Sequence, residues 1–509
     1  MQRSLYGPDH EAYRATVREF LAREVVPHQQ DWDEHRWIDR SVFARAAEAG
    51  IYALQIGEQY GGAGEPDYRY RLVVCEEVAE VNALSFGVTI SLQDDLVLHY
   101  LLDLTNDEQK QRWLPGFAAG EVIGALAMTE PGAGSDLRGI RTTAQRDGDH
   151  WILNGQKTFI SSGIMADLVV VAARTDSTGG SGDLSLFVVE RDTPGGFERG
   201  RKLDKIGLPG QDTAELFFHD ALVPSANLLG EPGRGGLQYL MSHLPRERLG
   251  GVTAEAIATT RAIFELTVDY CQSRQAFGGP LTDKQHVRFE LAEMGTEIDI
   301  VQAYVDSSVM AYNAGELTPV DAAKGKWYVS ELQKRVIDRC LQLHGGYGYM
   351  TEYPVARAYL DTRVKTIYGG TTEIMKEIIG REIAASVRKR RSLAGILGSS
   401  GSFAGGDRDQ FACVGELHPG PCAVGCSRPL GGIDCLPTVP VDDGGTLLEA
   451  SSASTSRFVP TRRVSRPAVK SSNSALTVSW AHPRLVPMTP RGPPLDPAGG
   501  IHTGHNLPA

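Results

Sequence analysis

Four stretches of this 509-residue sequence place glycines beside hydroxyl, aromatic or charged side chains in patterns suited to a flat, anionic ligand. The first is Thr129-Glu130-Pro131-Gly132-Ala133-Gly134-Ser135-Asp136. Its glycines let backbone N–H groups approach an anion, and Thr129 and Ser135 add hydroxyl donors. It continues into Trp151–Ser161, where Phe159 stands between Thr158 and Ser161, able to stack on a flat ring and bond its polar rim. The second is Arg274-Gln275-Ala276-Phe277-Gly278 with Gln285 beyond. It joins a guanidinium suited to phosphate with an aromatic cover. The third, Gln342-Leu343-His344-Gly345-Gly346-Tyr347-Gly348, exposes backbone near a helix end. The fourth, Ile367-Tyr368-Gly369-Gly370-Thr371-Thr372-Glu373, reads as a helix start, with Thr371 as N-cap and Glu373 at the positive end of the dipole. Each stretch alone is equally an ordinary turn or helix end, and His344 by itself reads as structural. The sequence contains no Walker loop, HExxH, GxSxG or CxxC motif.

The elements that must carry these stretches fall into three parts and a tail. Residues 1–119 read as helical: Val17, Phe20, Leu21 and Val25 share one helical face, as do Leu72, Cys75, Val78 and Val81. Asp107-Glu108-Gln109-Lys110 before Trp113 predicts a helix start, and Gly61–Pro66 a loop. Residues 120–235 hold short apolar runs (122–128, 168–173, 184–189, 214–218) separated by glycine-rich turns such as 177–183, which predict a small β-barrel or sandwich. Residues 236–388 return to helix. Val287, Leu291, Met294, Ile298, Val301, Val305 and Val309 form a long apolar stripe, a helix runs from Ala322 towards Leu343, and a last one ends near Ser386. The fold class is therefore α+β.

Residues 389–509 differ in composition. From 391 onward they hold 14 of the 27 prolines and one lysine, Lys470. Such a segment cannot bury enough apolar surface to offset an ordering cost of about 1–2 kcal/mol per residue, which predicts disorder. Cys413, Cys422, Cys426 and Cys435 lack the close pairing of a zinc ribbon, so no metal is expected. Residues 1–390 carry 41 basic against 55 acidic side chains, net −14, which argues against nucleic acid as the partner. No apolar run reaches the length of a membrane span, and the N-terminus lacks the apolar core of a signal peptide. Seven cysteines make no disulfide scaffold, so a cytoplasmic location is expected.

Taken together and in this order, the TEPGAGSD, RQAFG, QLHGGYGYMTEYP and IYGGTTEIMKE stretches resemble the acyl-CoA dehydrogenase family over residues 8–388, and its long-chain and isovaleryl-type branch most closely. Gly200–Asp220 strengthens the match to the long-chain branch. The resemblance implies a helical N-terminal domain, a β-barrel middle domain, a C-terminal four-helix bundle and a homotetramer built as a dimer of dimers. It implies FAD as cofactor, at Leu126, Met128, Thr129, Gly134, Ser135, Phe159 and Ser161. From the neighbouring subunit come Arg274, Phe277, Gln285, Gln342 and Gly346, with Thr371 and Glu373 closing the site. The implied reaction removes an α-proton from an acyl-CoA thioester and passes a hydride from Cβ to flavin N5, with an electron-transferring flavoprotein as acceptor.

The base departs from the commonest pattern. Many relatives carry it as the glutamate of a Tyr-Glu-Gly-Thr run, but this sequence has Tyr368-Gly369-Gly370-Thr371. The long-chain and isovaleryl-type members place it in a helix before an arginine, which Arg246-Glu247-Arg248 matches, so the resemblance implies Glu247. Glu130 and Glu373 are the competing carboxylates, read as structural and as a helix-start contact. Ser135, Arg248, Tyr368 and Gly369 are implied at the substrate. Leu126 and Phe159 stand where relatives often have larger aromatics, and 104–110 lacks the usual glycine; neither removes a catalytic group. The alternatives are an acyl-CoA oxidase or a flavin monooxygenase-like member, which needs no α-proton base, and a DNA-binding member, which would want a basic surface. Truncation near residue 390 is expected to leave FAD binding and activity intact, checked by flavin absorbance and dye-linked turnover.

Overall fold

The computed structural model describes residues 3–175, 184–231 and 235–399. The N-terminal part is helical. It comprises α1 (Pro8–Phe20), α2 (Gln29–His35), α3 (Ser41–Glu48), α4 (Tyr68–Glu80), α5 (Leu84–Ser91), α6 (Leu98–Asp103) and α7 (Asp107–Ala118). The predicted faces are buried: Val17, Phe20, Leu21 and Val25 from the first, and Leu72, Cys75 and Val78 from the second. The α7 start is fixed as expected, by a reciprocal pair. The Gln109 backbone N–H donates to the Asn106 side chain at 2.9 Å, and the Asn106 N–H to the Gln109 side chain at 3.0 Å.

The middle part is sheet-rich, with β1 (Gly124–Ala127), β2 (Thr143–Asp147), β3 (His150–Ser161), β4 (Leu168–Arg174), β5 (Leu184–Glu190), β6 (Gly196–Lys202), β7 (Thr213–Pro224) and β8 (Leu228–Leu229). The pairing path runs β6-β7-β3-β2-β4-β5-β8, and β1 joins β4 in parallel register. Where the sequence suggests a β-barrel or sandwich, the pairings among the described residues form one sheet whose path ends at β6 and β8. The runs at 168–173 and 184–189 are buried on both faces, which is why they read as uninterrupted apolar sequence. Leu168, Val170 and Ala172 join the core of the N-terminal helices, with Phe43 and Phe117. Val169, Val171 and Ala173 face a second core with Trp151, Phe187 and Phe218. The turn expected at 177–183 lies outside the described residues.

The C-terminal part contains α8 (Gly236–Glu247), α9 (Glu255–Ser273), α10 (Gln285–Asn313), α11 (Pro319–His344), α12 (Pro354–Thr362) and α13 (Thr372–Ser399). The α10 stripe buries Met294, Ile298, Val301 and Val305 against Ile257 and Ile263 of α9 and Val329, Leu332 and Val336 of α11. Met375 and Ile379 of α13 pack on Ala323 of α11. One expectation is corrected here: α13 does not end near Ser386 but continues to Ser399. The run through Leu393, Ile396 and Leu397 has no glycine–serine cluster until Gly398-Ser399-Ser400-Gly401, where helix propensity falls away. The remaining tail and its four cysteines lie outside the described residues. Cys75, Cys271 and Cys340 are free and buried.

Local features tie the glycine turn to the sheet. The Lys157 ammonium, fully buried in β3, donates to Glu130 Oε1 at 2.8 Å and to the Met128 carbonyl at 3.1 Å. The Thr158 N–H donates to the Thr129 carbonyl at 2.9 Å. Glu130 also accepts from the N–H groups of Arg141 and Thr142 and from the Thr142 hydroxyl. Burial opposes its ionisation, but Lys157 and these donors hold the carboxyl below its ordinary value. This is the structural role the sequence reading gave it. Removing one partner of a buried pair strands the other, so Lys157→Met is expected to cost about 3 kcal/mol, measured as a lower urea midpoint.

Candidate active site

Glu247 closes α8, and the chain then passes through a wide, π-type turn, Arg248–Ala254, before resuming as α9. Within it the Glu255 N–H bonds three residues back, to Val252. Wide turns of this kind displace side chains from the regular helical positions and recur at functional sites. Glu247 as a residue is half-buried, but its Oε2 is shielded from solvent and accepts no hydrogen bond among the described residues. Burial pushes the carboxyl up to about 7; the Arg248 and Lys326 charges pull it down, and Asp95 adds to the rise.

The segment before α13 faces this carboxylate. Gly369 has φ +65°, and a methyl group there would lie 3.5 Å from Glu247 Oε1. Glycine suits the left-handed backbone, and its missing side chain leaves the space beside the carboxylate open. The Arg248 Nε–H donates to the Gly369 carbonyl at 3.1 Å, and the Lys326 ammonium to the Gly370 carbonyl at 2.5 Å. Burial lowers Lys326 to about 8, with Glu247 opposing that fall. The Tyr368 hydroxyl donates to the Gly251 carbonyl at 3.1 Å.

Behind the wide turn lies a buried network of charges. The Lys365 ammonium donates to Glu255 Oε2 at 2.6 Å, to the Gly251 carbonyl at 3.1 Å and to the Tyr368 oxygen at 3.3 Å. The Ser91 hydroxyl donates to Glu255 Oε1 at 2.5 Å, and Arg71 donates to Asp95 and Ser91. The Tyr68 hydroxyl completes the set on Asp95 at 2.7 Å.

The residues expected at a flavin fall into two groups in the chain. Leu126, Met128, Thr129, Gly134 and Ser135 lie on β1 and the turn after it, bonded to β3 beside Phe159 and Ser161. Gly132 and Gly134 have nothing within 4 Å of where a Cβ would stand, so a ligand can reach the bare backbone. Phe159 is held at φ +60° and is 67 % exposed, an aromatic face presented to solvent at an energetic cost. Of the second group, Arg274 and Gly346 line a cleft of about 490 Å³, together with Tyr270, Leu343, Gly345 and Tyr347. Arg274 sits over the Tyr347 ring at 5.7 Å. Gln342 precedes the cleft on α11, Phe277 is 94 % exposed in the following hairpin, and Gln285 opens α10. Open glycine backbone, exposed aromatic faces and an arginine in a cleft suit a long molecule with flat rings and phosphates, so these residues fit FAD. His344 is structural as read: its Nδ1 bonds the Cys340 carbonyl at 2.9 Å and its ring stacks on Tyr270 at 4.2 Å.

The chain thus brings Glu247, Arg248, Tyr368 and Gly369 together. Thr371 is the N-cap of α13, accepting from the Ile374 N–H at 3.4 Å, and Glu373 is fully exposed in its first turn. No described contact joins Ser135 or Glu373 to Glu247. Sequence reasoning missed Lys326, Lys365, Glu255, Ser91 and Asp95. A signal existed for Lys326, a lysine on an α11 face otherwise made of Ala322, Ala323, Val329 and Leu332. Lys365 carries no such periodic mark.

Among the described residues there is no cluster that could hold a metal ion and no helix long and apolar enough to cross a membrane. Comparison with known proteins agrees with the geometry. The acyl-CoA dehydrogenase N-terminal, middle and C-terminal domains match residues 7–121, 125–221 and 234–384. The chain is 45 % identical over 384 residues to a long-chain specific acyl-CoA dehydrogenase, mitochondrial, of Sus scrofa, covering 75 % of this chain and 88 % of that one. An acyl-CoA dehydrogenase structure from Geobacillus kaustophilus superposes with TM-score 0.72 at 47 % identity, covering 75 % of this chain and all of that one. A glutaryl-CoA dehydrogenase from Mycobacterium smegmatis in complex with FADH2 gives TM-score 0.69 at 30 % identity, covering 75 % and 96 %. The chain belongs to the acyl-CoA dehydrogenase family of FAD-containing oxidoreductases acting on CH–CH groups.

Proposed function

We propose that this chain converts a fatty or branched acyl-CoA thioester to the trans-2-enoyl-CoA, with Glu247 as the base that removes the α-proton. The buried, unpartnered Oε2 of Glu247 carries this reading. A carboxylate oxygen spared by every donor around it is free to accept a proton, and its desolvation brings it nearer the acidity of an activated α-carbon. Glu130 is fully engaged with Lys157 and Thr142, and Glu373 is exposed with its carboxyl held low by helix-start donors, so neither competes.

Gly369 leaves the space next to Glu247 open for the thioester, and Arg248 fixes that stretch of backbone through the Gly369 carbonyl. Tyr368 and Ser135 complete the substrate-side residues of this reading. When bound, FAD supplies the acceptor for the hydride that leaves Cβ. Thr129, Gly134, Ser135, Phe159 and Ser161 would hold its ring end, and Arg274, Phe277, Gln285, Gln342 and Gly346 of a second copy its phosphate and adenosine end. A homotetramer built as a dimer of dimers belongs to the same reading. It is supported by exposed Phe289, Ile300 and Met310 along α10, apolar side chains that a partner helix would cover. An electron-transferring flavoprotein is the expected acceptor. A cytoplasmic, reducing setting accords with the free buried cysteines.

Glu247→Gln is expected to keep its FAD absorbance and lower turnover of an acyl-CoA panel by about 10²–10⁴-fold or more; turnover near that of the parent would overturn the assignment. Turnover of the parent is expected to rise with pH through about 7, as Glu247 loses its proton. The same raised value makes the ionised Glu247 a cost to the fold that grows as pH climbs from the ordinary carboxylate range through about 7. Glu247→Gln is therefore expected to melt above the parent at pH 8 and beside it at pH 4.5.

A further inference from the structure

We propose that Lys365 is a positioning residue for the base, gripping the wide turn that carries Glu247. The inference rests on Glu247 acting as the base. Lys365 is 3 % exposed, and its three N–H donors have three acceptors: Glu255 Oε2, the Gly251 carbonyl and the Tyr368 oxygen. A buried ammonium needs a carboxylate partner. Glu255 fills that need at 2.6 Å and keeps Lys365 charged well above its ordinary value despite burial. The bond to Gly251 is a different matter. It is a second contact, made to the backbone of the turn itself.

Gly251 sits beside the base. A methyl group on it would lie 3.8 Å from Glu247 Cγ. Its carbonyl receives two donors from outside the helix, Lys365 Nζ and the Tyr368 hydroxyl, both at 3.1 Å. The next residue after Tyr368 is Gly369, which faces the Glu247 carboxylate and takes the Arg248 bond. One short segment, 365–370, therefore holds the turn at Arg248 and at Gly251, one and four residues after the base. A wide turn of this kind is a departure from the regular helix that recurs at functional sites, and the bonds from outside at Gly251 and Arg248 fix its backbone and so where its side chains point. A base displaced by about 1 Å can lose about a hundredfold in rate.

Replacing Lys365 alone would strand Glu255, so the test is the double variant Lys365→Met with Glu255→Gln, assayed as the FAD-loaded enzyme. The expected result is unchanged FAD content, a KM for acyl-CoA within twofold of the parent, and kcat reduced at least 30-fold. Added to Glu247→Gln, the same pair should cost less than threefold more, because the group it positions is already gone. A role in folding alone would lower yield or Tm and leave kcat per bound FAD within threefold, which overturns the proposal. So would an additive effect in the Glu247→Gln background. Should the double variant fail to fold, Tyr368→Phe decides: a several-fold fall in kcat at constant KM that disappears in the Glu247→Gln background supports the grip, and an unchanged kcat, a raised KM, or a fall that persists in that background overturns it. Near-parental turnover by Glu247→Gln itself would instead remove the base assignment, a separate failure.

Discussion

A carboxylate oxygen kept out of water without a hydrogen bond is costly, and the structure around Glu247 Oε2 is organised to tolerate one. The cost is one that proteins ordinarily avoid by pairing or neutralising the group. Here two cations, Arg248 and Lys326, lie close enough to influence the carboxyl yet spend their donors on the carbonyls of Gly369 and Gly370. Had either donated to Glu247 directly, its oxygens would be committed and its acidity restored. The positive charge is thus offered as field rather than as bond, and Glu247 Oε2 stays without a donor.

That arrangement depends on backbone geometry more than on any one side chain. The wide turn after Glu247 moves the following residues off the regular helical spacing. Gly369 removes the side chain that would otherwise fill the space opposite. The helix α8 contributes direction, and Pro245, two residues before Glu247, removes a helical N–H donor just ahead of the widened turn. Behind it Arg71, Asp95, Ser91, Glu255 and Lys365 form a set of paired charges whose acceptors and donors satisfy one another. Paired in this way, charges can sit in a core without the penalty each would carry alone.

Much of this was legible in the sequence, and the limits have physical causes. Long periodic segments such as the Val287–Val309 stripe reported themselves, because a helix must bury one face. The strands at 168–173 and 184–189 were visible as apolar runs, whereas β6, with Phe197 as its only large apolar side chain, left no alternation to read. The glycine turns and Glu247 were found through the company they keep, since each motif alone is compatible with a turn or helix end. Lys365 and Glu255 were invisible. Their partners lie 110 positions apart in sequence, and a buried lysine looks like a surface lysine until the fold is known. The end of α13 was placed too early because composition changes before helix propensity does.

Gly250 shows how closely the parts are fitted. A methyl group there would collide with the Tyr68 hydroxyl and the Asp95 carboxylate, both contributed by the first hundred residues. The helix that presents Glu247 therefore rests, at its widened turn, directly on polar atoms of a segment encoded well over a hundred positions earlier. Three regions that succeed one another neatly along the chain are not three interchangeable parts. A helical segment borrowed from a relative with a larger residue at that point would need a matching hollow in the recipient, so the helix bearing Glu247 and the N-terminal helices must be inherited, or exchanged, as a single fitted pair.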